Sequence, residues 1–285
     1  MKTHTRTRMI LLGVLCGSLP VLAQESTVLG PPKVLVIQRE FVKPGKVGLH
    51  MKSESAFAKA AAAKKWPGNY LAMYSLSGPD RALFMEGYPS FEAWEKDNNQ
   101  LEKSGMLESM NTSFVADGEL LTGTSQAVFT LDEENSLNTG SVVHARYFEI
   151  TQFHVKPGHR GEFMQLSKMY KDGMAKVSQT ANWALYESQF GEKNGGYYLA
   201  ISAYKSLAED DASMGDGKKF RDIMGEEGMK KLSALSASCL ESTETNLFQF
   251  SPGMSYPSPE WINADPFWKP KAMSAAAPAK KSATP

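Results

Sequence analysis

A thirteen-residue pattern that occurs twice, 113 positions apart, limits what this chain can fold into more than any other feature. Val34-Leu35-Val36-Ile37-Gln38-Arg39-Glu40-Phe41-Val42-Lys43-Pro44-Gly45-Lys46 returns as Tyr147-Phe148-Glu149-Ile150-Thr151-Gln152-Phe153-His154-Val155-Lys156-Pro157-Gly158-His159. Three further matches follow in the same order. Tyr74-Ser75-Leu76-Ser77-Gly78 pairs with Tyr186-Glu187-Ser188-Gln189-Phe190-Gly191, Tyr88-Pro89-Ser90-Phe91 with Tyr204-Lys205-Ser206-Leu207, and Val128-Phe129-Thr130-Leu131 with Leu247-Phe248-Gln249-Phe250. The spacing drifts from 113 to 116 to 119, as small loop insertions produce. The chain therefore reads as one unit written twice.

Each copy has the same local grammar. A strand runs into Lys-Pro-Gly, where proline and glycine turn the chain. A helix follows, and in the second copy Phe163, Leu166, Tyr170, Met174 and Val177 recur at helical spacing. Two strands are expected at about 70–77 and 81–88, and again at 183–189 and 197–204. Ser90 and Ser206 are placed to cap a second helix, over about 90–111 and 206–240. Closing strands are expected near 126–131 and 246–251. The order β-α-β-β-α-β is the ferredoxin-like split pattern. The predicted fold class is α+β, with two tandem ferredoxin-like repeats, residues 33–131 and 143–251, packed sheet to sheet as a barrel within one chain. A polar linker at 132–142 separates them. After Pro252 a Pro- and Ala-rich tail follows, in which Trp261, Phe267 and Trp268 are expected to pin to the surface and 271–285 to be disordered.

The first residues are read separately. Lys2, Arg6 and Arg8 precede the apolar run Met9–Leu15, and Val21-Leu22-Ala23 offers small-residue cleavage, so residues 1–23 are expected to be a secretory signal peptide. The expected location is periplasmic or secreted. The whole chain carries 31 basic and 31 acidic residues; without the leader the balance is 28 against 31, a net charge of −3. That charge, with no basic patch interleaved with aromatics, argues against nucleic acid as a partner. No later stretch reaches the roughly 20 apolar residues of a membrane span. Cys16 leaves with the leader and Cys239 stands alone, expected to be buried and inert at an apolar helix end.

The strand followed by Lys-Pro-Gly resembles the dimeric α/β-barrel superfamily, which includes NIPSNAP-like proteins and antibiotic-biosynthesis monooxygenases. Glu149, Ile150, Phe153 and Val155 stand where the NIPSNAP opening has Glu, Leu, Tyr and Leu, while Thr151 replaces its usual Arg. The first copy departs further, with Val36, Gln38 and Glu40 at the Glu, Arg and aromatic positions. The resemblance implies that the two copies form a pseudo-dimer within one chain, monomeric or weakly self-associating. Haem-degrading relatives take an axial histidine from the second helix; neither expected second helix contains one, which disfavours that chemistry and leaves no cofactor expected.

Superposing the copies singles out a candidate site. On the 113 spacing Phe163 falls on His50, Leu166 on Ser53, Tyr170 on Phe57, Met174 on Ala61 and Phe153 on Glu40. The second copy thus presents bulky groups where the first presents small or polar ones. Strand alternation puts Gln38 and Glu40 on one side. A pocket is therefore expected in the first repeat, with Glu40 and His50 as a candidate catalytic acid–base pair and Gln38, Ser53, Trp66 and Tyr74 as candidate ligand-binding residues. No metal site is expected, since none of His50, His144, His154 and His159 stands in a spacing such as H-E-x-x-H. Gly191–Gly196 reads as a hairpin turn, not a phosphate loop. Three functions fit this reading. One is an exported protein binding a small apolar or aromatic molecule. Another is a cofactor-independent monooxygenase or isomerase using Glu40 and His50. The third is a non-catalytic module that meets a partner through Trp261–Trp268.

Overall fold

The computed structural model describes residues 29–192 and 196–269; the expected signal peptide and residues 271–285 lie outside the described residues. Eight strands form a closed antiparallel barrel: β1 (Val34–Val42), β2 (Leu71–Ser75), β3 (Arg81–Tyr88), β4 (Leu121–Leu137), β5 (Tyr147–Val155), β6 (Trp183–Phe190), β7 (Tyr197–Tyr204) and β8 (Leu240–Phe250). Around the barrel their order is β1-β3-β2-β8-β5-β7-β6-β4, and β4 pairs with β1 to close it. Helices α1 (Val47–Lys64), α2 (Phe91–Ser104) and α3 (Met106–Gly118) cover the first half. Helices α4 (Arg160–Val177), α5 (Ala208–Ser213) and α6 (Asp216–Cys239) belong to the second. The fold is α+β, as the alternation of patterns implies.

The pairing explains how the barrel closes. β1 lies between β3 and β4, and β5 between β7 and β8. The last strand of each half then crosses over: β4 pairs with β6, and β8 with β2. Neither half thus leaves a free sheet edge at these seams. Strand alternation sends Leu35 and Ile37 into the barrel and Val34 and Val36 outward under the helices. The interior is aromatic, with Phe148 edge-on to Phe250 at 4.6 Å between ring centroids.

Several boundaries differ from the sequence expectation. Residues 132–137, expected in a linker, continue β4, because a bulge between Asp132 and Leu137 lets that strand turn and pair Leu137 with Trp183. Asp132 holds the bulge by accepting the Asn135 backbone N–H at 3.0 Å. The second helix of the first half is two helices, broken at Gly105 with φ 64, a left-handed conformation that glycine adopts at no steric cost. Helix α3 therefore extends to Gly118, beyond the expected end at 111. Ser90 caps α2 as expected, accepting the Ala93 N–H at 3.1 Å; α5 starts behind Leu207, and no side chain caps it.

The aromatic tail is also placed differently. Trp261 and Trp268 are not on the surface: Trp268 has no exposed area, stacks edge-on with Phe250 at 5.1 Å and donates its indole N–H to the Val143 carbonyl at 2.6 Å. Helix α7 (Pro259–Ala264) and a short 3-10 turn (Pro266–Trp268) carry these two residues into the main core. A partner contact through Trp261 and Trp268 is accordingly ruled out in this arrangement. No described helix is long and apolar enough to cross a membrane. Cys239 is buried, and burial raises its thiol pKa.

Candidate functional site

Two features of the helix–sheet layers carry chemistry. The first lies between α1, α3 and the outer face of β1. Strand alternation points Glu40 toward α1, where the Glu40 Oε2 atom meets His50 Nε2 at 2.8 Å. Gln38, two residues earlier on the same face, donates its amide to Glu40 Oε1 at 2.8 Å. One turn along α1 from His50, Glu54 joins the group, and α3 brings Asp117 to 3.6 Å from His50 Nε2. Ligand atoms of Glu40, His50, Glu54 and Asp117 all lie within 4.8 Å of one another. His50 is 1% exposed and the three carboxylates no more than 8%.

The electrostatics follow from that burial. The Glu54 carboxyl is pushed up to about 9, first by loss of water and then by the charges of Glu40 and Asp117. Burial also raises the Asp117 carboxyl, while His50 and the hydroxyl of Ser53 oppose the rise. A neutral Glu54 can donate to Asp117, which keeps the group from holding three like charges in a dry space. Tyr70, packed against Phe84 and Phe57, is likewise buried, and its phenol is raised by burial and by Glu54.

The sequence candidates divide clearly. Glu40, His50, Gln38 and Ser53 are brought together. Trp66 sits at the edge of an aromatic wall, edge-on to Phe57 at 5.6 Å, and is not part of the group. Tyr74 is separated from Glu40 by Ala82 on the intervening strand and donates instead to Gln249 Oε1 at 2.7 Å. Glu54 and Asp117 escaped the sequence reading. Glu54 had a signal, since it lies four residues after His50 on a helix and shares its face. Asp117 had none locally; only the break at Gly105 and the second helix behind it deliver that residue.

The second feature is a cavity of about 1230 Å³. It runs from the space between α4, α6 and the sheet of the second half, around the barrel end, to Gly30–Pro32 and Asn69–Leu71. Phe163, Leu166, Tyr170, Met174, Trp183 and Phe220 supply apolar wall, and Glu149, Ser202 and Arg221 are among its polar groups. None of Gln38, Glu40, His50, Ser53, Trp66 and Tyr74 lines this cavity. Glu149 is one of four carboxylates that line the cavity, with Glu209, Asp210 and Asp216, and burial, then Asp210, raises its pKa.

No family model matches this chain, and no curated relative does. Solved structures do share its outline at low identity. An anthrone oxidase-like protein aligns at 16% identity over 77% of this chain and 92% of its own, with a TM-score of 0.49. A mutant chlorite dismutase from Candidatus Nitrospira defluvii aligns at 13% over 78% and 92%, with a TM-score of 0.46. A heme-binding protein from Thermus thermophilus gives 11% over 82% and 95%, with a TM-score of 0.43.

Proposed function

We propose that this is an exported barrel protein that binds a small apolar or aromatic molecule in the cavity of its second half. The observation that carries the reading is the lining of that cavity: an aromatic and aliphatic wall of Phe163, Leu166, Tyr170, Met174, Trp183 and Phe220 beside polar groups that include Glu149, Ser202 and Arg221, the two kinds of surface a small-molecule site combines. Its volume slightly exceeds the roughly 300–1,000 Å³ typical of such pockets. Export is supported by the basic start and short apolar run of residues 1–23, and N-terminal sequencing of protein from the periplasm or medium tests it. Tandem duplication is supported by β1 and β5, and by α1 and α4, each lying 113 positions apart at both ends; a NIPSNAP-like kinship is supported by Glu149, Ile150, Phe153 and Val155 before Lys156-Pro157-Gly158.

Native mass spectrometry of protein purified from its own host tests the binding. A retained mass that leaves on denaturation is expected. Ala200→Phe, which narrows the cavity from β7, should remove that mass while the circular dichroism stays unchanged. Retention of the same ligand by the filled variant would place binding elsewhere.

A second reading is favoured by Glu149, a carboxylate in the cavity whose pKa is raised by burial and then by Asp210. A cofactor-independent monooxygenase or isomerase would use it for proton transfer, in place of Glu40 and His50, which do not line this cavity. Glu149→Gln would then abolish turnover of the retained molecule while leaving its binding intact.

A further inference from the structure

We propose that Glu40, His50, Glu54 and Asp117 form a binding site for a divalent transition-metal ion. This goes beyond the cavity reading and does not depend on it.

The argument starts from placement. The four side chains come from three elements, β1, α1 and α3, and their ligand atoms converge within 4.8 Å. An ion with bonds of about 2.1 Å holds tetrahedral ligands about 3.4 Å apart, so this spacing closes on an ion with small side-chain rotations. The donors are one imidazole nitrogen and carboxylate oxygens with no sulfur. That set suits Mn²⁺, Fe²⁺ or Zn²⁺ better than Cu⁺, and the imidazole disfavours Mg²⁺ and Ca²⁺. Gln38 gives Glu40 the outer-shell hydrogen bond that fixes a ligating carboxylate, leaving Oε2 to face the group.

A further observation points to something missing from the group. Asp117 Oδ1 is buried and accepts no hydrogen bond. Buried polar atoms are nearly always satisfied, so the orphaned Asp117 Oδ1 inside the group calls for an occupant. A cation bound there would take Asp117 Oδ1 as a ligand directly. Exposed Gln38 marks where solvent, and hence the ion, reaches the group.

The second half shows what the ion would replace. On the 113 spacing Phe153 and Phe163 stand for Glu40 and His50, and their rings pack at 5.4 Å. With Tyr198 they tie α4 to the sheet by apolar contact. The first half has no such contact at these positions, and a bound ion would join α1 and α3 to β1 there.

Mn²⁺ is a suitable probe for the full chain after stripping with EDTA. Binding removes the sharp solution EPR signal of free Mn²⁺, and one ion per chain is expected. Glu40→Gln and Asp117→Asn should each weaken binding at least tenfold. Glu86→Gln, in the neighbouring Glu86–Tyr88–Asp97 group, should leave it unchanged. In the unsubstituted chain Mn²⁺ should broaden the His50 ring resonances before those of His144, His154 and His159, a readout that needs no variant to fold. Absence of binding, unaltered affinity in both variants, or broadening that begins at another histidine overturns the proposal.

Discussion

Under its first helix the first half of the barrel places Glu40 and His50; under the corresponding helix the second half places Phe153 and Phe163. Both layers do the same mechanical job, holding a helix against a strand at a fixed distance. The apolar version works without further conditions, because burying aromatic surface is favourable at any pH and needs no partner. The polar version is conditional. Its charges must be paired, hydrogen-bonded or neutralised, and where they are not, each buried group costs free energy. Such a layer is a poor way to gain stability and a good way to hold an ion or a proton. The difference also explains the cavity. Gly173 on α4 lies so close to α6 that a Cβ there would come within 2.4 Å of the Phe220 ring. Helix α4 thus leans on α6, and the space beside it stays open.

The largest expected effect breaks the apolar layer. Phe163→Ala removes a ring that is 1% exposed and packed between Phe153 and Tyr198. It should cost about 3–5 kcal/mol of unfolding free energy, read by urea denaturation. His50→Ala tests the polar layer in the same assay and should cost roughly 3 kcal/mol, because it leaves Glu40 and Asp117 buried without their imidazole partner. The comparison is sharpened by making the first layer apolar like the second: Glu40→Phe, His50→Phe, Glu54→Leu and Asp117→Val together. Removing the whole group should cost less than His50→Ala alone, since replacing buried ionic groups by apolar ones is often neutral. A quadruple variant less stable than the single one would show that the two layers are not alternatives.

A pH titration separates the layers next. Glu54 is raised from its ordinary value near 4.5 to about 9 by burial and then by Glu40 and Asp117. The folded chain holds that proton more tightly than the unfolded one. The resulting stabilisation is complete below about 4.5 and is lost as pH rises toward 9. Glu54→Gln should flatten stability across this window, and Phe163→Ala should leave the slope as it was. An unchanged slope in Glu54→Gln would mean that another group carries the titration.

How much of this was legible beforehand depends on the range of the interaction. The Lys-Pro-Gly turns, the strand alternation and the match of Glu40 to Phe153 are local or depend on a constant spacing, and they bring Glu40 to His50 correctly. Glu54 was legible in principle from its place one turn after His50. Asp117 was not, because its arrival depends on a break at Gly105 and a second helix that periodicity alone does not separate from the first. The cavity of the second half is not legible in the sequence for a different reason. Side-chain size says which residues are small, but not whether hydrogen bonds draw them together or whether two helices lean on each other elsewhere. Trp268 was misread because a Pro-rich tail looks the same whether its aromatics face water or the core.

The smallest effect concerns the two serines at matching places before the second helices. Ser90 adopts an extended backbone and accepts the Ala93 N–H, the arrangement that satisfies one of the free amides of a first helical turn. After Ser206 the chain instead enters α5 through Leu207, in helical conformation and without a side-chain cap. Ser90→Ala should therefore lower stability by about 1 kcal/mol, while Ser206→Ala should change it by a few tenths at most. Thermal unfolding of the two variants side by side resolves that difference. Equal losses would show that sequence position alone sets the value of the serine; unequal ones would show that the halves diverge at their helix ends, as they do beneath α1 and α4.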